Sequence, residues 1–309
     1  MSRIHEALKR AELERAAAQN GGAGGVPPDP QAIVQNGSGN GGTSAAARES
    51  KPAGPAEQVS PFRFDELQSR HRSHSTWNPD SSSDVFSPVH GGNGAEQFRT
   101  LRSRLYQLRS SQPLHTLLVT SSLAGEGKTF VTSNLVRAIV RQAERRVLVI
   151  DADLRCSQLH MVLGAPAAPG LSDYLRGGTD EPSVIQHGGA GNLCFIPSGN
   201  RVSNPSELLS NGRFKTLLDR VTPAFDWVII DSPPCLPVAD AGVIANLCDG
   251  VLLIVRAAVT PSAVILKSRQ ELKERNVVGV VLNAVAHDAL AYGSYYASGY
   301  QNIEAKTSK

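Results

Sequence analysis

The chain has no apolar run approaching eighteen residues, and no signal-peptide core follows Met1. The sequence therefore predicts neither a membrane span nor unaided entry into a secretory route. Its four cysteines, Cys156, Cys194, Cys235 and Cys248, show no Cys-x-x-Cys spacing and sit in or beside apolar segments, as reduced structural thiols of a cytoplasmic protein do. Neither sign of charge dominates. The 31 Lys and Arg against 28 Asp and Glu leave a net +3, too weak a balance for nucleic acid to be the main partner. What is present is an apolar fraction of 40% over 309 residues, enough for the core of one large α/β domain with appendages.

Composition divides the chain. Residues 1–18 predict a short amphipathic helix, with Ile4, Leu8 and Ala11 on one face. Residues 19–93 are rich in Gly, Ser, Pro, Asn and Gln and read as a disordered linker, because so few apolar side chains cannot offset the ordering entropy. Phe62, Phe64 and Leu67 form an apolar island inside it, either a docking segment or sticky residues in a linker. Order is expected over 94–290, opening with a helix striped by Phe98, Leu101, Leu105 and Leu108. Apolar strand candidates recur at 116–120, 147–151, 193–197, 227–231, 250–255 and 277–282, separated by helix-length segments. That alternation predicts an α/β fold, a parallel sheet with helices on both faces and ligands at the carboxyl ends of its strands. Residues 291–309 read as a flexible tail holding Tyr292, Tyr295, Tyr296 and Tyr300, four of the chain's six tyrosines.

The densest chemistry lies in 116–142, TLLVTSSLAGEGKTFVTSNLVRAIVRQ, which reads as strand, glycine loop and helix. A helix N-terminus offers unpaired N–H groups and the positive end of a dipole to an anion. Over Gly125, Glu126, Gly127, Lys128, Thr129 and Phe130, the two glycines let backbone approach a phosphate. Lys128 can reach the β and γ oxygens, and Thr129 can place its hydroxyl on Mg²⁺. Ser122 stands where the usual pattern opens with Gly or Ala. Two further strands end in acids, Asp151 and Asp153 after VLVI and Asp231 after WVII. Each is a candidate for a cation at the nucleotide, Asp231 and Asp153 together with Thr129 as metal holders, or alternatively a helix N-cap. Asn283, ending VVGVVLN, is placed to read adenine or to cap a turn.

GEGKT at 125–129, VLVIDADLR at 147–155, NPSELL at 204–209, FDWVIIDSPP at 225–234 and DGVLLIV at 249–255 occur in an order that resembles the bacterial tyrosine kinases of capsular and exopolysaccharide synthesis, across about two-thirds of the chain. The resemblance implies a phosphate-loop NTPase fold with deviant Walker motifs, of the MinD/ParA-like superfamily. It implies ATP and Mg²⁺ as cofactors, and transfer of phosphate to the tyrosine tail of a neighbouring copy, with Lys128, Asp151 and Asp153 as catalytic residues. Asp151 is the expected acceptor of the phenol proton. It further implies self-association into a ring through the Glu-x-x-Arg-x-x-Arg helix of Glu96, Arg99 and Arg102, and a separately encoded membrane activator of the polysaccharide chain-length type that draws a cytoplasmic kinase to the inner face of the membrane. Two departures stand out. Arg155 is followed by Cys156 and Ser157 where the family continues Arg/Lys-Pro, and Ser122 opens the loop. A partition-type ATPase switch would carry a signature lysine at Leu123, and a non-catalytic ATP-binding regulator of export remains the other alternative.

Overall fold

The structure is a computed structural model that describes Phe62, Phe64 and residues 77–88, 94–188 and 191–286. The expected N-terminal helix, most of the expected linker and the tyrosine tail lie outside the described residues. Helix α1 (Ala95–Ser111) leads into strand β1 (Thr116–Ser121), α2 (Lys128–Val140) and β2 (Val147–Asp151). Three short helices follow, α3 (Leu159–Leu163), α4 (Leu171–Leu175) and α5 (Glu181–Val184), then β3 (Gln186–His187) and β4 (Leu193–Ile196). The remainder is α6 (Pro205–Ser210), α7 (Arg213–Val221), β5 (Trp227–Asp231), α8 (Asp240–Ala245), β6 (Gly250–Arg256), α9 (Ser262–Glu271) and β7 (Val277–Asn283). Among the described residues no helix is long and apolar enough to cross a membrane.

The seven strands form one sheet in the order β3-β4-β2-β5-β1-β6-β7. All neighbours are parallel except β3, a two-residue strand antiparallel to β4. The six expected strands are all present. β3 was not expected, since two residues are too few to show a period. The central strands β1, β2 and β5 are buried along their whole length, as parallel strands covered on both faces must be. Alternate side chains feed separate cores. Leu118, Leu148, Ile150, Val228 and Ile230 pack with Phe214 and Leu217 of α7 and Ile244 of α8. Leu117, Val119, Val147, Val149 and Ile229 pack on the other face with Phe98 and Leu105 of α1 and Leu135 and Ile139 of α2.

Two parts of the expected linker belong to this domain. Phe64 is buried edge-on against Phe225, 5.6 Å between ring centroids, and the Phe62 N–H donates to the Arg220 carbonyl at 3.1 Å. Residues 77–88 are fastened over α2 by Asn134, which accepts from the Val85 N–H at 3.0 Å and donates to the Ser83 carbonyl at 2.9 Å. Trp77 meets the edge of Phe195, and Arg141 lies over Phe86. Isolated aromatic residues in a polar run escape a composition average, yet each brings enough apolar area to hold a short segment on a formed core.

Candidate functional site

The sheet brings β1, β5 and β2 side by side, and the chain leaves each of them at the same edge. After β1 the backbone turns through Gly125 and Gly127, both left-handed, at φ +79° and +90°. Gly127 caps α2, and a Cβ there would stand 2.0 Å from Asn283 Nδ2, so glycine is required on both counts. The loop is held open by its own side chains. The Glu126 carboxylate, buried, accepts the Leu123 N–H at 2.8 Å and the Thr260 hydroxyl. Asn283 donates to the Glu126 carbonyl at 2.9 Å. Ser122 is fully buried, and its hydroxyl has no hydrogen-bond partner among the described residues. The result is a backbone cradle at the positive end of a thirteen-residue helix, with Lys128 nearly buried at its start. That arrangement takes an anion.

Asp231, ending β5, faces the first turn of α2. Its carboxylate accepts the Thr129 hydroxyl at 2.7 Å and the Thr132 hydroxyl at 3.2 Å. Asp151 is its partner in register on β2. The Asp151 carboxylate accepts the Asp153 N–H at 3.1 Å, the Ser157 hydroxyl at 2.7 Å and the Leu159 N–H at 3.3 Å. The last bond satisfies one free donor at the start of α3, so the capping role and membership of the acid cluster coexist in one residue. Asp153 accepts the N–H groups of Arg155 and Cys156 at 3.3 and 2.9 Å.

Burial first, then the charge of Asp231, pushes the Asp151 carboxyl up to about 8. Burial also raises Asp231, to about 6, against the opposing bond from Thr129 and the charge of Lys128. Two acids in register, both pushed toward the neutral form, are a site short of positive charge. Among the described residues no three of His, Cys, Asp and Glu are grouped closely enough to cage a metal ion by themselves, but Asp231 and the Thr129 hydroxyl bonded to it are oxygen donors of the kind that a cation carried by a phosphate group takes.

Other expected site residues lie elsewhere. Phe130 turns its ring to Phe98, 6.1 Å between centroids, and so packs α2 on α1. Glu96 and Arg99 pair with each other at 2.9 Å on the exposed face of α1, while Arg102 donates to the Ala138 carbonyl at 2.6 Å. The three do not form one patch, because Arg102 is turned toward α2. Asn283 sits beneath the loop as a tether. Cys156, expected in or beside an apolar segment, is exposed. Tyr292, Tyr295, Tyr296 and Tyr300 lie outside the described residues. Sequence reasoning missed the clamp of Glu126 by Thr260 and the contact of Ser157 with Asp151. The first joins loops 134 positions apart that only the sheet brings together, and the second is a local turn of six residues with no regular period to mark it.

A glycine loop after the first strand, closing on a helix N-terminus and faced by acids at the tips of two neighbouring strands, defines a phosphate-loop nucleotide-binding fold. Residues 117–298 match the model of the CobQ/CobB/MinD/ParA nucleotide binding domain. The tyrosine-protein kinase etk of Escherichia coli strain K12 is 36% identical over 202 residues, covering 65% of this chain and 28% of that one. A putative tyrosine-protein kinase EpsB of Ralstonia solanacearum is 36% identical over 207 residues, covering 66% and 27%. The solved kinase domain of the E. coli tyrosine kinase ETK superimposes with a TM-score of 0.63 at 33% identity, covering 73% of this chain and 88% of that domain. The chain belongs to the CobQ/CobB/MinD/ParA nucleotide-binding domain family and, within it, to the bacterial tyrosine-kinase domains. It spans little more than a quarter of the length of those curated relatives.

Proposed function

We propose that the chain is an ATP-dependent protein-tyrosine kinase that phosphorylates the tyrosine tail of a neighbouring copy of itself and regulates the synthesis and export of a polysaccharide. The observation that carries the reading is the pairing of the loop with acids, Thr129 bonded to Asp231 at 2.7 Å and Asp151 in register beside it. Kinship with domains named as tyrosine kinases supports it. The N–H groups of 125–129 and Lys128 would hold the triphosphate, and Asn283 would lie near the base. Thr129, Asp153 and Asp231 would hold Mg²⁺, which when bound neutralises charge on the phosphates. The phenol oxygen bonds to the γ-phosphorus as the bond to the ADP oxygen breaks, and the phenol proton passes to Asp151. Asp151, which burial otherwise holds toward the neutral form, would be returned by the positive charge of Mg²⁺ beside it to the ionised state in which it can take the phenol proton. The rest of the work is positioning and electrostatic stabilisation.

Tyr292, Tyr295, Tyr296 and Tyr300 would be the acceptors. Glu96 and Arg99, exposed on α1, would contribute to contacts between copies in a ring, with Arg102 steadying that face of α1 through its bond to the Ala138 carbonyl. A separate membrane protein of the chain-length type would activate the kinase and hold it at the inner membrane face, and residues 1–18 are one segment that could recruit it. Mass spectrometry of the chain after incubation with Mg·ATP tests the reading. Phosphate on the tail tyrosines, absent in Lys128→Met, is expected. If neither protein gains phosphate, even with the activator's cytoplasmic segment added, the chain is a nucleotide switch or regulator instead.

A further inference from the structure

NPSELL at 204–209 and the segment after IIDSPP have no part in the chemistry above, yet both converge on the loop that carries Asp153. We infer that Arg155, Asp240 and Ser206 form a positioning network that sets Asp153 for the metal-nucleotide complex. The inference rests on the proposed nucleotide site and names residues that act on it from outside.

The geometry is closed. Arg155 Nε and Nη2 donate to the two oxygens of Asp240 at 2.8 and 3.1 Å. Nη2 also donates to Ser206 Oγ at 2.9 Å, and the Ser206 hydroxyl donates in turn to Asp240. The Asp240 side chain is fully buried, whereas that of Arg155 is 37% exposed. An unpaired carboxylate at that depth would be costly, so the three groups stand or fall together. Burial works to raise the Asp240 carboxyl, and the bonds from Arg155 and Ser206 outweigh it and hold it below the usual carboxylate range. A bidentate guanidinium fixes direction as well as distance.

The link to the site runs through backbone. Asp153 Oδ1 is bound by the N–H groups of Arg155 and its neighbour Cys156. Anchoring the Arg155 side chain to α8 and to the first turn of α6 therefore fixes the peptide units that aim Asp153. Ser206 sits in that first turn, and α6 packs on α8. Three segments distant in sequence thus meet on one carboxylate, and a hydrogen-bonded support of this kind commonly changes metal affinity by about 10-fold to 100-fold when removed.

The test is nucleotide binding, measured with a fluorescent ATP analogue on the full chain in Mg²⁺ and in EDTA. It reads the network whether or not the chain transfers phosphate. Arg155→Gln is expected to weaken binding in Mg²⁺ by about 10-fold or more while leaving binding in EDTA nearly unchanged. Arg155→Lys, which keeps the charge but not the fork, should fall between the two proteins. Ser206→Ala, at a partly exposed position, serves if Arg155→Gln does not fold, and should raise the Mg²⁺ concentration needed for half-maximal binding. Equal weakening in Mg²⁺ and EDTA, or no change in Mg²⁺ dependence in either variant, overturns the inference.

Discussion

Asp151→Asn should stabilise the nucleotide-free protein. The carboxyl has an ordinary value of 3.8 and is pushed to about 8 in the folded chain, chiefly by burial and then by Asp231. The native state therefore binds its proton more tightly than the unfolded chain, so stability falls as pH rises from about 4 to about 8 and then levels. At about 1.4 kcal/mol per unit, ionising Asp151 at pH 8 costs the native state at most roughly 5 kcal/mol. Asparagine removes the charge but serves the bonds from Ser157 and Leu159 less well, which leaves about 2–3 kcal/mol of net gain. For a domain of this size that is about 5–10 °C in Tm. Melting by circular dichroism at pH 5 and pH 8, in EDTA, reads it. The gain should be larger at pH 8 than at pH 5, and added Mg·ATP should raise the Tm of wild type more than that of the variant. A variant no more stable than wild type at pH 8, or a gain equal at both pH values, would refute the reasoning.

Gly127→Ala places a methyl on a residue at φ +90° and against Asn283. It should cost about 1–3 kcal/mol in backbone strain alone and abolish binding of a fluorescent ATP analogue; retained affinity would mean the loop is not the anion cradle. Phe64→Ala removes a ring that is 7% exposed in the core and should lower stability to urea by about 3 kcal/mol. A loss below about 1 kcal/mol would show that this aromatic residue is not part of the domain.

Periodicity and strand-tip acids made the sheet and the loop legible in the sequence. TLLVTS, VLVID and WVIID are buried along their whole length and mostly apolar because both faces are covered, and the acids Asp151 and Asp231 stand out at the ends of two of them for the same reason. Legibility stopped where contact depends on the order of strands. β5 is inserted between β1 and β2, which brings Asp231 beside Asp151 across eighty positions of sequence that no spacing rule connects. The clamp of Glu126 by Thr260 and Asn283 depends likewise on β6 lying next to β1 and β7 next to β6. Segment 77–88 failed for another reason. Its anchors are single residues, Trp77, Val85 and Phe86, in a run whose average composition is that of a linker.

The departure at Ser157 bears directly on the chemistry of the site. The family's pattern places proline there, which has no hydroxyl and no N–H to offer. In this chain the Ser157 hydroxyl donates to Asp151 at 2.7 Å and lies 3.1 Å from His160 Nδ1. Burial and Asp231 are the two larger influences on Asp151, and both raise it, while the Ser157 bond opposes them. Serine here therefore tempers a rise that burial and Asp231 would otherwise carry further. Ser157→Ala should push Asp151 further up and make the nucleotide-free protein less stable at pH 8 by about 1 kcal/mol, with a smaller loss at pH 5. The paired melts described for Asp151→Asn read this as well. A loss of equal size at both pH values would mean that Ser157 only packs the turn, whereas a loss that grows with pH and disappears in the Asp151→Asn background would place its effect on the charge of that one carboxylate.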